Sequence, residues 1–194
     1  MKKIKSPWES AQWLNEVFEK LGLEHIYLCG LSIGGWNAAN YTSYYPSRVK
    51  KLILLSPIQT LSKMHLTFFF KIMRMGFHPT RENVEKYIGW SGAQESALPE
   101  SVIKQFTISV MNVNANSFFP KWLKGHRLEM LDMPVMILLG KSEFAFSVPK
   151  ALFRARKKIR NLQIEVIDNA SHLLNISAPD AVNLKMLAFL NSPQ

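Results

Sequence analysis

Apolar residues along the chain follow two alternating patterns. Short, β-prone apolar runs predict strands at 25–29, 51–56, 134–139 and 162–167. Apolar residues at helical spacing predict helices over 8–21, 34–45, 149–158 and 179–190. Strands that alternate with helices in this way are typical of a parallel sheet with helices on both faces. The pattern therefore predicts an α/β fold.

The middle of the chain departs from this alternation. Residues 58–131 contain no good strand pattern, and their spacing predicts helices over 60–76, 81–90, 99–111 and 121–130. We predict one domain over 1–194, in which 58–131 forms a helical insertion that caps the C-terminal ends of the strands. The apolar stretch LTFFFKIMRMGF (66–77) predicts packing against the main domain and a wall of an apolar pocket. A membrane-surface helix is less favoured, because few cations accompany this stretch.

Composition indicates a globular protein. Of the 194 residues, 47% are apolar and 20% are charged. The 24 basic and 14 acidic residues give a formal net charge of +10, which would suit an anionic partner. The marked basic run RARKKIR (154–160), however, matches the exposed face and C-terminal end of a helix, and no nucleic-acid-binding motif accompanies it. We therefore expect no nucleic-acid partner.

The sequence also bears on compartment and cofactors. Cys29 is the single cysteine, and its place in a strand-like run predicts a small core residue. The basic N-terminus is not followed by the apolar segment of a signal peptide. No apolar run approaches the roughly 18 residues that a membrane span needs. We expect a cytoplasmic protein with no stable membrane insertion, no metal and no organic cofactor.

A serine motif joins the first predicted strand to the helix that follows it. Gly30-Leu31-Ser32-Ile33-Gly34 fits the G-x-S-x-G pattern in the strand–turn–helix setting that this pattern requires. Glycines two residues before and after Ser32 allow a tight reversal with strained backbone angles. Such a bend raises the serine hydroxyl above the sheet, so Ser32 is the candidate nucleophile.

A serine nucleophile needs a general base, and that base is usually an imidazole oriented by a carboxylate. Among the five histidines, His172 follows the C-terminal end of a predicted strand, where an imidazole can reach the mouth of the sheet. Glu143 follows the third predicted strand and is the preferred acid. Asp168 is the alternative acid, although its position favours a structural role in a turn.

The chain resembles the C-terminal two-thirds of an α/β-hydrolase-fold enzyme, close to bacterial carboxylesterases. The resemblance is carried by GLSIGG (30–35), YPSRVKKLILLSP (45–57), MPVMILLGKSEFAFS (133–147) and VIDNASHLLNISAPDAVN (166–183). It implies that Ser32 is the nucleophile, Glu143 the acid and His172 the base. It also implies that the backbone N–H of Ile33 is one donor of the oxyanion hole.

One departure from the family concerns the region before the first predicted strand. In the family, a loop marked by His-Gly supplies the second oxyanion donor, and four strands precede the first helix predicted here. The sequence has no His-Gly and no room for four strands before residue 25. We therefore expect an N-terminally truncated sheet of about four strands with an open edge, which favours a homo-oligomer or a separate N-terminal half as partner. Loss of one oxyanion donor costs about 2.7–4 kcal/mol in transition-state stabilisation.

Two functions follow from these features. The first is a serine hydrolase that cleaves a small apolar carboxylic ester through a Ser-His-Glu triad and an acyl-enzyme. The aminopeptidase, C–C hydrolase, acyltransferase and perhydrolase branches of the family share this triad and remain open. The alternative is a truncated, non-catalytic relic or interaction module that lacks a complete oxyanion hole.

Overall fold

The centre of the fold is a parallel sheet, seen in a computed structural model that describes residues 4–90, 100–112 and 119–193. Its four strands lie in the order of the sequence. They are β1 (Ile26–Leu31), β2 (Val49–Leu55), β3 (Val135–Gly140) and β4 (Leu162–Ile167). The predicted α/β fold with a four-stranded parallel sheet is thus confirmed. On one side β1 pairs with β2, and on the other side it pairs with no strand of the described residues.

Helices connect and flank these strands. They are α1 (Pro7–Lys20), α2 (Ile33–Tyr44), α3 (Leu66–Phe77), α4 (Arg81–Trp90), α5 (Glu100–Asn112), α6 (Gly125–Leu128), α7 (Val148–Lys158), α8 (Leu174–Ser177) and α9 (Pro179–Asn191), with a short 3-10 turn at Pro46–Arg48. The start of α1 is stabilised by Ser6, which caps the helix by accepting a hydrogen bond from the Glu9 N–H, and by Pro7 in the first turn.

Two predicted helices are shorter than their apolar spacing suggested. The helix predicted over 60–76 begins only at Leu66, because Met64 forms an antiparallel bridge with Phe146 and the His65 N–H donates to the Ala145 carbonyl. The helix predicted over 121–130 is reduced to Gly125–Leu128. The Leu123 N–H donates to the Gln59 carbonyl, which holds this segment against a loop rather than in a helix.

Helices cover both faces of the two central strands, β2 and β3. On one face, α1, α2 and α7 pack over residues that include Leu52, Leu54 and Ile137. On the other face, α8 and α9 pack over the alternate residues of the same strands, which include Ile53 and Met136. The runs in β2 and β3 are continuously apolar because strands buried on both faces have no side chain directed to water.

Cys29 does not lie in the core, contrary to the prediction. Cys29 is exposed, and so is Tyr27, which lies two positions earlier on the same face of β1. Helix α9 packs against β3, and near its end the Phe189 carbonyl accepts a hydrogen bond from Lys51 of β2, while Tyr27 and Cys29 on this face of β1 stay exposed. The apolar strand pattern indicated a buried position, whereas burial depends on what packs over the strand.

The middle helices pack on one another as well as on the sheet domain. Val84 and Ile88 of α4 are buried with Ile103 of α5. Phe68 of α3 is fully buried and belongs to the main core of the sheet domain. The division of the chain into a domain and a cap at 58–131 stays a prediction.

Candidate active site

Ser32 occupies the sharp turn between β1 and α2. Its backbone φ is 53° and its ψ is −115°, a region that residues with a side chain rarely adopt. Two backbone hydrogen bonds hold this turn: the Ser32 N–H donates to the Leu55 carbonyl at 2.9 Å, and the Ile58 N–H donates to the Ser32 carbonyl at 3.3 Å. The end of β2 therefore supports a strained serine at the end of β1.

The glycines of the motif have different roles from those the sequence suggested. The positive φ belongs to Ser32 itself and not to the glycines that flank it. A β-carbon at Gly30 would overlap the backbone carbonyl of Gly34, and one at Gly35 would lie 2.9 Å from Cβ of Pro57. A β-carbon at Gly34 would meet no atom within 4 Å. Gly30 and Gly35 thus allow close approach of the backbone, whereas Gly34 is not required for this reason.

Three predicted site residues form one chain of hydrogen bonds. The Nε2 atom of His172 lies 2.8 Å from the Oγ atom of Ser32. The Nδ1 atom of the same ring lies 2.9 Å from each carboxylate oxygen of Glu143. The side chains of His172 and Glu143 are fully buried, while Ser32 is half-buried. Residues separated by 140 positions in sequence therefore meet at the carboxyl end of the sheet.

Of the two candidate acids, Glu143 is the one in contact with His172. Its Oε1 atom also accepts a hydrogen bond from the Ala145 N–H at 2.8 Å, which fixes the carboxylate from its own loop. Asp168, the alternative, instead forms an ion pair with Lys141 at 2.7 Å, and both of these side chains are exposed. The carboxylate of Asp168 therefore forms its ion pair at the protein surface, beside the turn at Asn169.

The loops that carry Glu143 and His172 are hydrogen-bonded to each other. The Lys141 N–H donates to the Ile167 carbonyl, and the Ser142 N–H donates to the Ala170 carbonyl, both at 2.9 Å. A β-carbon at Gly140 would overlap the backbone carbonyls of Ala170 and Ser171. The glycine at the end of β3 thus permits the contact between the two loops.

Aromatic side chains enclose the imidazole of His172. The ring of Phe68 in α3 lies 5.4 Å from it, and the rings of Phe144 and Phe146 lie at 5.6 and 6.4 Å, all edge-on. Trp90 of α4 packs on Phe144, with ring centroids 4.1 Å apart. These contacts place an apolar wall, partly formed by the predicted cap stretch 66–77, beside His172.

The segment before α3 holds the acid loop, a role that the sequence did not reveal. The His65 ring Nδ1 lies 3.0 Å from the Phe144 carbonyl, and the His65 N–H donates to the Ala145 carbonyl at 2.8 Å. These contacts are adjacent to Glu143 in the chain. No local pattern could have indicated them, since His65 and Phe144 are 79 residues apart.

Two further groups lie near the triad residues. Ile33 is the first residue of α2, and the first backbone N–H groups of a helix have no acceptor within that helix. Among the described residues, the Ile33 N–H has no hydrogen-bond acceptor. Its role as an oxyanion donor stays a prediction.

Burial, with a smaller contribution from the negative charge of Glu143, raises the pKa of Tyr87 to about 12, so its hydroxyl stays neutral at physiological pH.

Metal-binding clusters and membrane-spanning helices are both absent from residues 4–90, 100–112 and 119–193. Within these ranges no group of three or more His, Cys, Asp or Glu side chains could hold a metal ion. No helix there has the length and apolar character needed to cross a bilayer.

Known proteins with similar sequences and structures support the same fold. The model of the α/β hydrolase fold family matches residues 6–85. The uncharacterized carboxylesterase nap of Bacillus subtilis (strain 168) is 32% identical over 190 residues, which are 94% of this chain and 62% of that protein. The crystal structure of naproxen esterase (carboxylesterase NP) from Bacillus subtilis matches with a TM-score of 0.86 and 31% identity, over 96% of this chain and 67% of that one. Carboxylesterase CesB (YbfK) from the same organism matches with a TM-score of 0.90 and 25% identity, over 100% and 70% of the two chains.

The chain belongs to the α/β-hydrolase family and is similar to its bacterial carboxylesterases. It spans 62% of the length of each of the two curated carboxylesterases that it matches.

Proposed function

We propose that this protein is a carboxylic ester hydrolase that acts through Ser32, His172 and Glu143. The observation that carries this proposal is the hydrogen-bonded chain from Ser32 Oγ through both ring nitrogens of His172 to Glu143. A serine hydroxyl becomes a useful nucleophile when a base accepts its proton, and His172 is at hydrogen-bond distance to do so. The names of the similar carboxylesterases agree with this reaction class.

The first half of the reaction forms an acyl-enzyme. Ser32 Oγ bonds to the ester carbonyl carbon while His172 Nε2 takes the hydroxyl proton, and the carbonyl oxygen becomes an oxyanion. Glu143 accepts the Nδ1–H hydrogen bond, keeps the ring in the required tautomer and stabilises the imidazolium. The Ile33 N–H donates to the oxyanion. When the tetrahedral intermediate collapses, the C–O bond to the alcohol breaks and the alcohol leaves with the proton from Nε2.

The second half of the reaction releases the acid. His172 Nε2 takes a proton from water, whose oxygen bonds to the acyl carbon and again forms an oxyanion. Collapse of this intermediate breaks the bond to Ser32 Oγ, which regains its proton from Nε2. The products are one carboxylic acid and one alcohol, and the enzyme returns to its starting protonation state.

An apolar ester is the substrate class that the surroundings of His172 favour. Phe68, Phe144 and Phe146 surround the ring with aromatic carbon, which suits an apolar acyl or alcohol group. We place the bound ester along this wall, with its carbonyl carbon at Ser32 Oγ.

Labelling with a fluorophosphonate, followed by intact-mass measurement, tests the proposal. We expect one adduct on the unmodified chain, none on Ser32→Ala and a much slower reaction on His172→Ala. Ser47→Ala is the matched control, because Ser47 is an exposed serine outside the site, and it should label at the unmodified rate. A panel of aryl esters then measures turnover.

The alternative function is a non-catalytic relic or interaction module. A folded chain, shown by circular dichroism and a cooperative unfolding transition, that forms no adduct would favour this alternative and overturn the proposed hydrolase activity of the chain by itself.

We also propose that the open edge of β1 pairs with another strand, either of a second copy or of a separate N-terminal half. The unpaired backbone groups of an edge strand favour such pairing. Light scattering after size-exclusion chromatography measures self-association. The part of the Bacillus carboxylesterase that precedes the matched residues, added as a separate chain, tests the second partner. A monomer that binds neither would contradict this proposal.

A further inference from the structure

A cavity lies between two of the outer helices, apart from the triad residues. Its volume is about 250 Å³, and the described residues that line it belong to α3 and α4. None of Ser32, Glu143 and His172 lines it. We call it the α3–α4 cavity.

Three basic side chains converge on the α3–α4 cavity. Lys71 and Arg74 come from α3, and Lys86 comes from α4. Lys86 is paired with Glu82, and the charge of Arg74 makes a smaller contribution to the lowered pKa of the Glu82 carboxyl group. Neither Lys71 nor Arg74 forms a direct ion pair with a described residue. None of the described residues that line the cavity is acidic. Cations gathered around one cavity repel each other, and a bound anion would relieve this repulsion.

Two aromatic rings form the apolar part of the same cavity. Tyr87 and Trp90 lie on α4 with their ring centroids 6.3 Å apart. The ammonium of Lys71 lies 3.4 Å from the centroid of the Trp90 ring. This contact holds the charge beside an aromatic surface, as a cation–π interaction does. Loss of some hydration lowers the pKa of the Lys71 ammonium, although the residue itself stays exposed and open to a ligand from solvent.

We propose that the α3–α4 cavity binds an aromatic carboxylate, whose ring packs on Tyr87 and Trp90 while its carboxylate pairs with Lys71 and Arg74. Arg74 can present two parallel N–H donors to a carboxylate, and Lys71 adds a point charge. A purely apolar ligand would bring no negative charge to Lys71 and Arg74, and a small inorganic anion would make no apolar contact with the two rings that line the cavity. The combination of convergent cations and adjacent rings thus selects a ligand that carries both features.

The cavity is linked to the triad region through packed rings. Trp90 contacts Phe144, and Phe144 contacts the ring of His172. The acid product of the proposed ester cleavage is also a carboxylate, and it is an aromatic carboxylate only where the acyl group of the ester is aromatic. The proposed binding depends only on the residues that line the cavity, so the binding experiment can support or overturn it whether or not Ser32 is catalytic.

Isothermal titration calorimetry with cinnamate tests this site directly. Two comparison ligands separate its features: cinnamyl alcohol keeps the ring without the charge, and acetate keeps the charge without the ring. We expect cinnamate to bind about tenfold more tightly than either, since a charge-assisted hydrogen bond and ring stacking each add to the affinity. Equal affinity for cinnamate and cinnamyl alcohol, or no binding of cinnamate, would overturn the proposal.

Substitutions of single lysines test whether cinnamate binds in the α3–α4 cavity. Lys71→Met should weaken cinnamate binding about tenfold, whereas Lys71→Arg, which keeps the cation, should restore most of it. Lys104→Met is the matched control: Lys104 is an exposed lysine of α5 that does not line the cavity, and its loss changes the net charge equally. If Lys71→Met and Lys104→Met bind cinnamate equally well, the ligand binds elsewhere and the inference is wrong.

Discussion

A β-carbon on Gly140 would overlap the backbone carbonyl oxygen of Ser171. Gly140 is the last residue of β3, three positions before Glu143, and Ser171 immediately precedes His172. The contact between these two backbones therefore sets how closely the loop of Glu143 approaches the loop of His172. A hydrogen bond between the Ser142 N–H and the Ala170 carbonyl closes the same junction.

Gly140→Ala should separate the two loops. Displacing the backbone of a packed loop costs about 1–3 kcal/mol of unfolding free energy. A shift of the triad residues by about 1 Å can lower the rate about 10²-fold. Urea unfolding measures the first effect, and the rate of fluorophosphonate labelling measures the second.

Gly76→Ala is the control for this substitution. Gly76 lies in α3, and a β-carbon there would meet no atom within 4 Å. Alanine in a helix is favoured over glycine by about 0.5–1 kcal/mol, so this variant should be as stable as the unmodified chain or slightly more so. If Gly140→Ala behaves like Gly76→Ala, the loop junction is not tight.

Glu143→Gln should leave the fold intact and slow the labelling of Ser32. The amide can replace the carboxylate sterically, but it can donate to Nδ1 and so favour the wrong tautomer of His172, at a cost of about 10³–10⁴-fold in rate. Asp168→Asn is the matched control, because Asp168 pairs with Lys141 at the surface. A rate that falls for Asp168→Asn and not for Glu143→Gln would reverse the assignment of the acid.

Phe68→Ala should be far more damaging than Phe70→Ala, although the two belong to one run of three phenylalanines. Phe68 is fully buried against the ring of His172, whereas Phe70 is 65% exposed. Removing a buried phenylalanine costs about 3–5 kcal/mol, while a surface substitution usually changes the free energy of unfolding by less than about 0.5 kcal/mol.

Chemical denaturation of both phenylalanine variants measures this difference. Phe68→Leu, which leaves a smaller cavity, provides a folded variant in which to record the labelling rate. Similar unfolding midpoints for Phe68→Ala and Phe70→Ala would contradict the burial of Phe68.

Lys51→Met should destabilise the fold, and Lys50→Met should not. The ammonium of Lys51, buried in β2, donates to the carbonyls of Phe189, Leu190 and Ser192 at 2.8, 2.9 and 2.6 Å and so caps the end of α9. Its removal leaves these acceptors without the cation, at a cost of about 2–3 kcal/mol.

Lys50 is the adjacent residue on the opposite face of the strand, and it is exposed. Thermal unfolding of the two methionine variants compares them directly. Methionine fits an apolar core, so greater stability of Lys51→Met would mean that the buried charge is a net cost to the fold.

Much of the architecture could be predicted because it depends on local periodicity. The four strands and most helices follow from apolar spacing, and the span of β4 (Leu162–Ile167) was predicted to the residue. The segment before Leu66 was not, because its backbone pairs with Phe146 and Ala145, which are distant in sequence. Cys29 was misplaced for a similar reason: a strand pattern does not reveal whether a helix covers that part of the sheet.

The sequence by itself determined the elements and the chemical types at their ends. The G-x-S-x-G turn, an acid after β3 and a histidine after β4 all follow from chain order and from the geometry of parallel strands, which end at one edge of the sheet. Tertiary structure decided which of two similar residues makes a given contact. Glu143 rather than Asp168 contacts His172, Phe68 rather than Phe70 is buried in the core, and Lys51 rather than Lys50 bonds to the end of α9. The reason is physical, since a side chain's partners and its burial come from segments that are distant in sequence and meet only in the fold.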